Sequence, residues 1–470
     1  KENININYID NKYTEYYMID LYMTIRNIEE YSPLSDSQLK ERIKKAKYFY
    51  KYVDKDTSIG YINNTFQKTH KNRPGGLNSV IFQILDDKRD CLGLFSNGEF
   101  YYGHIKRAFE KTWDWSPHLS DDDYEYARIW CGGKSLEEAC PQHLSERLEI
   151  HKKKVKNFVK AASIAKINID DVCLFEIIPE QALVHWCQVK NEICEYVFEN
   201  HTKPSNHKFM IDLSKLVHEI SNNQVILNQN KLFNYQKTDH KARSLWKSFG
   251  GKTSYISYDI YGSVTGRLTT KPNSFPILNL KKDIADIVVP KNDAFIQFDF
   301  NGAEIRTLLS LSGEPQPKED IHEFNAKILK CSRDKAKKKF FAWFYNPNKK
   351  NQELAEFYKR DKVLENHYIN GVVQTPFGRR IETDDFHSFN YLLQSSSSDN
   401  CLAQAIKINK FLSGRRSFVH SVVHDSITID LDKTDRDLIT HVRQIFEDTR
   451  LGHFKSSMHI GKNYRDMEEV

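Results

Sequence analysis

An α/β fold is predicted by a change of pattern along the 470 residues. Before residue 250 the sequence is mostly helical, as in residues 145–165, where apolar positions recur every three or four residues between lysines. After residue 250, short apolar strands alternate with helices, and carboxylates stand where strands end. We expect two or three packed units, with the chemistry in the C-terminal half.

Composition excludes little. The formal net charge of +6 is compatible with a phosphate-rich partner but too small to demonstrate one. The basic face of residues 145–165 fits either a solvated surface or a surface against a nucleic-acid backbone. The eight cysteines form no CxxC pair, so reduced, packed thiols are expected. No signal segment or membrane-length apolar run is present, which predicts a soluble, cytoplasmic protein without a membrane partner.

Two aspartates stand at predicted strand ends. Ala294–Phe300 reads as a buried strand followed by a helix over 302–311, which places Asp299 at the edge of the strand. Phe418–Val423 and residues 427–431 read as two β-branched strands joined through 424–426, with Asp425 at the tip. A lone aspartate at a strand end is usually a cap or turn residue. Together, two carboxylates from distant strands can share hard divalent cations.

A helix between these aspartates carries two separate stripes. Arg333, Lys337, Phe341 and Tyr345 recur at intervals of four, so they share one face of a helix that should end before Asn346. A neighbouring apolar stripe is available for burial: Ala336, Phe340, Trp343 and Phe344. Two cations followed by two aromatics match the layout of a nucleotide, with charge for a triphosphate and rings for sugar and base. A basic amphipathic helix with incidental aromatics is the alternative.

From about residue 255 to the end, the sequence resembles the polymerase domain of family A DNA polymerases. Residues 299–306 (DFNGAEIR) resemble motif A, which implies that Asp299 binds metal and that Glu304 is a steric gate against a ribose 2′-hydroxyl. Residues 423–425 (VHD) resemble motif C and imply that Asp425 is the second metal ligand, with His424 at the DNA. The implied cofactor is a pair of Mg²⁺ ions.

The helix of Arg333 and Lys337 resembles motif B, the fingers helix that binds the incoming dNTP. The resemblance implies that both cations hold the triphosphate and that Lys337 protonates the pyrophosphate. It also implies that Phe341 packs on the sugar and that Tyr345 borders the templating site.

Three further stretches agree with the family in order and type. Residues 265–268 (TGRL) imply that Arg267 reaches the minor groove at the primer terminus, and residues 320–322 (DIH) imply that His322 contacts phosphate. Asn390 and Gln394 begin an N-x3-Q-x4-D pattern that ends at Asp399, and they would probe the duplex minor groove at acceptors common to all base pairs.

The implied fold is a right-hand polymerase with an antiparallel-sheet palm, helical fingers and thumb, and a mixed N-terminal region. The implied partners are primer-template DNA and dNTPs; a helicase, a single-strand-binding protein and a processivity factor belong to the same setting without being identified. The expected segments are an N-terminal region of unassigned role (1–144), thumb and connecting helices (145–254), palm with motif A (255–313), fingers (314–371) and palm with motif C (372–470).

The sequence departs from the family at several positions. After Asp425 many members of the family have Glu, but this sequence has Ser426. The related single-subunit phage RNA polymerases also have Ser at this place, so an RNA polymerase or primase is one alternative. A catalytically silent nucleic-acid-binding subunit is another. Phe386 stands where bacterial members have Arg, and Arg379 and Arg380 are candidates to replace that contact. The stretch between Tyr345 and residue 371 is short, which predicts compact fingers.

Upstream of the resemblance, no carboxylate set of a 3′→5′ exonuclease is evident. The run at 121–123 and Glu176 are the acidic positions that a degenerate exonuclease-like region would retain. Within the family, the sequence around these motifs most resembles that of the phage members. The expected function is DNA-templated extension of a primer 3′ end with dNTPs, in viral DNA replication in an infected cell's cytoplasm, without proofreading.

Overall fold

The computed structural model describes residues 81–88, 91–102, 109–119, 124–165, 167, 178–346 and 350–470. They belong to two compact units, which meet in the sequence at Lys203 and Pro204. The expected segment 145–254 contributes to both units. The acidic positions 121–123 and Glu176 lie outside the described residues.

Within unit 1, residues 1–203, the described part has short strands first and helices after them. Its strands are β1 (Gln83–Lys88), β2 (Cys91–Ser96), β3 (Glu99–Tyr102), β4 (Lys111–Thr112) and β5 (Glu125–Tyr126). Its helices are α1 (Ala127–Trp130), α2 (Leu136–Ala139), α3 (Gln142–Ile164) and α4 (Glu180–Asn200). Helix α3 is the one predicted for residues 145–165, and it packs along α4.

The strands named above for unit 1 pair into two small sheets. Strands β1, β2 and β3 pair in an antiparallel order. Strands β4 and β5 run parallel, and an isolated parallel bridge joins Lys111 of β4 to Ile81, just before β1. The core beneath the helices is apolar and includes Leu144, Leu148 and Ile193.

Unit 2, residues 204–470, is centred on a five-stranded antiparallel sheet. Its elements up to the sheet are α5 (His207–Asn222), β6 (Ile226–Leu227), α6 (Gln229–Tyr235), α7 (His240–Phe249), β7 (Tyr258–Asp259), β8 (Thr269–Thr270) and β9 (Val288–Val289). The sheet has the order β14-β15-β10-β18-β19, with β10 (Ala294–Phe300), β14 (Phe418–Val423), β15 (Ser426–Leu431), β18 (Ser456–Gly461) and β19 (Met467–Glu469). The sequence prediction for β10 and β14 is confirmed, and β15 begins one residue earlier than expected, at Ser426.

Helices and short strands complete unit 2. They are α8 (Ala303–Ser312), α9 (Ile321–Ile328), α10 (Arg333–Tyr345), α11 (Gln352–Tyr358), α12 (Arg360–His367), β11 (Tyr368–Ile369), β12 (Val372–Gln374), β13 (Arg380–Glu382), α13 (Asp385–Phe411), α14 (Ile439–Glu447), β16 (Asp448–Thr449) and β17 (Gly452–His453). Helix α13 packs on α8 and on strands β14 and β15. This long helix therefore connects the sheet to the helices that follow β10.

Helix α10 buries the apolar stripe that the sequence predicts. Ala336, Phe340, Trp343 and Phe344 are at most 3% exposed and join a cluster with residues of α8 and α13. The helix ends at Tyr345, and Asn346 is extended because the following proline disfavours the helical conformation. Burial of this stripe leaves the other face of α10 available to a ligand.

None of the helices in the described part of the chain combines the length and the apolar character that a membrane span requires. The cysteines found as free thiols there are Cys131, Cys140, Cys187, Cys194, Cys331 and Cys401.

Candidate active site

The two predicted metal ligands lie at the same end of adjacent central strands. Strand β10 pairs with β15 in a register that sets Asp299 opposite Ser426, the residue after Asp425. The backbone N–H of Phe300 donates to the carbonyl of Asp425 at 3.4 Å. Strands β14 and β15 are joined by a two-residue turn in which His424 has a φ of 56°, so Asp425 stands at the tip as predicted.

The carboxylates of Asp299 and Asp425 lie in one site, and no cationic side chain forms an ion pair with either of them in the described residues. Burial, with the charge of Asp425 as a second cause, raises the pKa of Asp299 to about 7. Burial also raises the pKa of Asp425, opposed by its own backbone hydrogen bond and by the charges of His424 and Arg267. Neither aspartate has a side-chain ion pair among the described residues. Two partly buried acids without such a partner favour a bound cation.

The residues present fit divalent cations of the magnesium type. Carboxylate oxygens are the ligands that Mg²⁺ prefers, and it completes its shell with water and substrate phosphate. At this end of the sheet Glu304 is already paired with Arg267, whereas Asp299 and Asp425 have no ion pair, and no group of three or more His, Cys, Asp or Glu side chains suited to a metal exists in the described ranges. A metal held by Asp299 and Asp425 would therefore need further ligands from water and from its substrate.

The buried thiol of Cys401, on α13, lies close to the same pair. Burial raises its pKa well above the ordinary value, and the charges of Asp425 and Asp299 add to this effect. Sequence reasoning did not identify Cys401, because a lone cysteine in a helix carries no signal of what lies beside it.

Glu304 is held from two sides. Its Oε1 accepts a hydrogen bond from Nη2 of Arg267 at 2.6 Å, and its Oε2 accepts one from the hydroxyl of Tyr345 at 2.7 Å. Arg267, Glu304 and Tyr345 come from three separate segments that the sequence singled out. The structure therefore brings the predicted gate, the predicted primer contact and the end of the predicted nucleotide helix into direct contact.

The position of Arg267 depends on a glycine turn. Gly266 has a φ of +74°, and a Cβ there would come within 2.4 Å of Arg379. The Arg379 guanidinium donates to both carboxylate oxygens of the buried Asp399, at 3.0 and 2.8 Å. Arg379 is thus committed to an interior ion pair and does not replace the missing arginine at Phe386, whereas Arg380 is exposed.

The cationic end of α10 is only partly free. Arg333 makes a two-point ion pair with Asp320, with both hydrogen bonds at 3.0 Å. Lys337 is exposed. The sequence predicted Arg333 as a phosphate ligand but gave no indication of its pairing with Asp320.

His322 and the aromatic residues of α10 form one continuous surface. The rings of Phe341 and Tyr345 are stacked, with centroids 5.6 Å apart and planes 6° apart, and His322 lies 5.7 Å from Phe341. Burial lowers the pKa of His322; the charge of Asp320 opposes this, and those of Lys337 and Arg333 add to it. Its Nδ1 is buried and has no hydrogen-bond partner in the described residues. The imidazole is therefore neutral at neutral pH, and its ring packs beside Phe341.

The predicted minor-groove residues share one row of α13. Asn390 and Gln394 are both partly buried, and Oδ1 of Asn390 has no hydrogen-bond partner within the described chain. Phe386, 54% exposed, lies one turn earlier in the same row. His424 is exposed in the turn beside Asp425.

Comparison with known proteins gives matches among solved structures but none by sequence. No protein-family model matches the sequence, and no curated protein matches it. Among solved structures, the fold is similar to the POL domain of Pol1 from M. smegmatis, determined in complex with a DNA primer-template and dNTP. The TM-score is 0.54 at 10% sequence identity, over 81% of this chain and 95% of that one. The chain therefore has, as a distant likeness, the fold of a polymerase domain.

Proposed function

We propose that the chain is a DNA-templated DNA polymerase that extends a primer 3′ end with dNTPs by two-metal-ion nucleotidyl transfer. The observation that carries the proposal is the pair of hydrogen bonds that join Glu304 to Arg267 and to Tyr345. These residues belong to three segments that resemble family A motifs, and they come together beside Asp299 and Asp425. A coincidental resemblance would not gather the segments at one end of one sheet.

Asp299 and Asp425 would hold two Mg²⁺ ions. When bound, these ions supply the charge that activates the primer 3′-oxygen and neutralises the leaving pyrophosphate. The chain's contribution is to hold both carboxylates on adjacent strands, partly shielded from water, so that no large rearrangement is needed when the substrates arrive.

The residues of α10 and α9 would hold the incoming nucleotide. Arg333 and Lys337 would bind the triphosphate, Lys337 would deliver a proton to the pyrophosphate, and His322 would contact a phosphate oxygen. The aromatic surface beyond them supports contacts with the sugar at Phe341 and with the templating position at Tyr345.

Sugar selection is assigned to Glu304. Its two hydrogen bonds fix the carboxylate, so it forms a rigid wall instead of a mobile side chain. A fixed wall beside the sugar would exclude a 2′-hydroxyl sterically. This favours DNA synthesis over RNA synthesis, although Ser426 is the residue that single-subunit phage RNA polymerases have.

Contacts with the duplex are assigned to Arg267, Asn390, Gln394 and His424. The first three would lie in the minor groove, where acceptors occur at similar positions in every base pair and base-pair shape can be tested without reading sequence. Asn390 and Gln394 are both partly exposed in one row of α13, which supports a role toward a duplex laid along that row.

The wider assignments belong to the same proposal. Residues 255–313 and 372–470 would form the palm, 314–371 the compact fingers and 145–254 the thumb. Residues 1–144 would be a region without proofreading activity, and the setting would be replication of viral DNA in a bacterial cytoplasm.

A single assay separates the proposal from its alternatives. A labelled primer-template is incubated with the protein, Mg²⁺ and either dNTPs or NTPs. The proposal expects template-directed growth with dNTPs and little with NTPs. Growth with NTPs alone would indicate an RNA polymerase or primase, and binding without growth would indicate a catalytically silent subunit.

A further inference from the structure

The N-terminal end of α10 is tied to its surroundings through one carboxylate. Nε of Arg333 donates to Oδ1 of Asp320 and Nη2 of Arg333 donates to Oδ2, each at 3.0 Å. Two parallel hydrogen bonds of this kind fix the plane of the guanidinium as well as its distance. The arginine side chain remains 45% exposed.

Asp320 is itself immobilised. Its Oδ1 accepts the backbone N–H groups of His322 at 2.9 Å and Glu323 at 3.0 Å, which makes it the N-cap of α9. Its Oδ2 accepts a hydrogen bond from Nδ2 of Asn301 at 2.9 Å. Although partial burial opposes it, the hydrogen bonds from Arg333 and Asn301 hold the pKa of Asp320 below its ordinary value. The carboxylate is therefore charged and fixed at neutral pH.

Asn301 links this carboxylate to the strand that bears Asp299. It lies two residues after Asp299, and its backbone N–H donates to the carbonyl of Lys455 at 2.9 Å. Its Oδ1 accepts the backbone N–H of Ile321 at 2.9 Å. Both ends of its amide are thus used, and both point to the turn that begins α9.

The buried side chain of Arg306 also binds the turn that precedes α9. Its guanidinium donates to the carbonyls of Asn301 at 2.8 Å and of Pro317 and Glu319 at 3.0 Å each. Burial lowers the pKa of Arg306 to about 10, so it stays charged at neutral pH. A buried, charged side chain with three carbonyl partners leaves this loop little freedom.

We infer that Asp320 is a positioning residue that orients the Arg333 guanidinium toward the triphosphate, and that Asn301 joins this device to the metal-site strand. The inference rests on the proposed function. A guanidinium has five N–H donors, and the ion pair uses two, so three remain for phosphate oxygens. Nη1 makes no hydrogen bond among the described residues and lies 3.9 Å from Oδ1 of Asp334, whose side chain is 88% exposed.

Fixing the guanidinium in advance favours binding because a free arginine has a large rotamer entropy to lose. An ordered side chain has already lost most of it before the nucleotide arrives. Loss of the ion pair should therefore weaken nucleotide binding more than it slows the chemical step.

The test is Asp320→Asn in the full chain. Asparagine keeps the N-cap hydrogen bonds and removes the charge that holds Arg333. KM and kcat for a dNTP are measured on primer-template, and Kd is measured by titrating the dNTP onto a complex with a dideoxy-terminated primer. We expect KM and Kd to rise about tenfold, equivalent to about 1.4 kcal/mol, with kcat changed less than about twofold.

A double-mutant cycle shows whether Asp320 acts through Arg333. In the Arg333→Ala background, Asp320→Asn should add less than about a twofold change in KM. An equal effect with and without Arg333 would mean that Asp320 acts in some other way, and the inference would be wrong.

Glu319→Gln is the matched control. Glu319 precedes Asp320 in the same turn and pairs with Lys327 at 2.8 Å, so the variant removes one negative charge without touching Arg333. Its KM should equal that of the wild type. A similar rise in KM for Glu319→Gln would show that the charge of the turn matters and not the orientation of Arg333.

The remaining outcomes also decide the matter. A KM for Asp320→Asn that is unchanged or lower than wild type overturns the inference, and a lower one would mean that the ion pair competes with the triphosphate. If Asp320→Asn fails to fold, the variant Asn301→Ala is used in its place. Asn301→Ala removes one hydrogen bond to Asp320 but leaves the ion pair with Arg333, and it should also raise KM. A wild-type protein that does not extend primers with dNTPs would instead refute the proposed function.

Discussion

The hydroxyl of Tyr345 donates a hydrogen bond to Oε2 of Glu304 at 2.7 Å. Tyr345 is the last residue of α10, and Glu304 lies in the first turn of α8. The predicted nucleotide-binding helix is thereby joined at its C-terminal end to the segment that follows Asp299. Its N-terminal end is joined to the same segment because Arg333 pairs with Asp320 and Asp320 accepts a hydrogen bond from Asn301. Movement of α10 would have to break one of these two contacts.

Replacement of Glu304 should relax the choice of sugar. Glu304→Ala removes the wall and leaves Arg267 and Tyr345 without their shared acceptor, so space opens beside the sugar. We expect the ratio of kcat/KM for dNTP over NTP to fall at least about tenfold, or about 1.4 kcal/mol. Single-nucleotide incorporation kinetics measure this ratio.

Tyr345→Phe is the informative comparison for that variant. It removes the hydrogen bond to Glu304 and keeps the carboxylate in place through Arg267. Its sugar preference should lie closer to wild type than that of Glu304→Ala. Equal preference for dNTP in Glu304→Ala and wild type would remove Glu304 from its assigned role.

Asp425→Asn should abolish primer extension while leaving DNA binding nearly intact. The amide keeps the shape of the side chain but not the charge required to hold a divalent cation. We expect the extension rate to fall at least about 10³-fold, or about 4 kcal/mol. Rapid-quench extension assays and primer-template titration measure the two quantities separately.

Asp283→Asn controls for the loss of one acid from unit 2. The side chain of Asp283 is 78% exposed, lies 3.6 Å from Nζ of Lys281 and stands in the first turn of the 3₁₀ helix Lys282–Ile287. Its extension rate should match the wild type. An Asp425→Asn protein that extends as fast as Asp283→Asn would contradict the metal-ligand assignment.

Removal of divalent cations should destabilise the wild-type protein. Two partly buried carboxylates repel each other when no cation separates them, and burial disfavours their charge. Addition of Mg²⁺ at about 100 times its Kd should stabilise the fold by about 3 kcal/mol, and chelation should reverse this. Thermal denaturation with and without chelator measures the effect.

The variant Asp299→Asn tests the same repulsion in the opposite direction. In chelator it should be at least as stable as the wild type, because one of the two charges is gone, and added Mg²⁺ should shift its midpoint much less. Equal Mg²⁺ shifts in variant and wild type would show that the cation binds elsewhere.

Gly266→Ala should destabilise the protein through a steric conflict with Arg379, whose side chain is 12% exposed and paired with Asp399. The φ of +74° is unfavourable for alanine, and the new methyl would lie within 2.4 Å of the guanidinium. Gly414→Ala has nearly the same φ, +76°, but nothing within 4 Å of the added Cβ. Gly414→Ala should cost about 1 kcal/mol, and Gly266→Ala about 1–3 kcal/mol more. Denaturant titration measures both; equal losses would mean that Arg379 moves aside.

His420 predicts a specific dependence of stability on pH. It is buried against Phe295 and Tyr464, and burial lowers its pKa from 6.5 to about 4. Between these values the unfolded chain binds a proton that the folded chain does not, so the free energy of unfolding should fall as pH decreases from 6.5 towards 4. The loss should be at most about 3 kcal/mol.

His420→Phe isolates this contribution, because phenylalanine fills a similar volume and does not titrate. The difference in unfolding free energy between wild type and variant should change over that pH range and be constant above about pH 7. A difference that does not vary with pH would show that the buried imidazole is not the source.

Local patterns were sufficient for the elements that carry the site. The strand Ala294–Phe300 and the helix Arg333–Tyr345 have the predicted bounds because each is specified by neighbouring residues: a run of apolar side chains for the strand, and two stripes of period four ended by a proline for the helix. The order of the motifs then associated Asp299 with Asp425, and Glu304 with the helix.

Partners of the charged residues could not be read in the same way. Arg333 pairs with Asp320, and Arg379 pairs with Asp399. Each partner is one carboxylate among sixty-three Asp and Glu residues, and no periodicity in the sequence distinguishes it from the others. The pairing of β10 with β15 joins residues more than a hundred positions apart. Secondary structure is encoded by residues a few positions from one another, whereas these contacts arise only when distant segments pack. The sequence by itself determined which chemical groups are available and on which elements they stand; only the tertiary structure decided which of them are already bonded to each other and which remain available to a ligand.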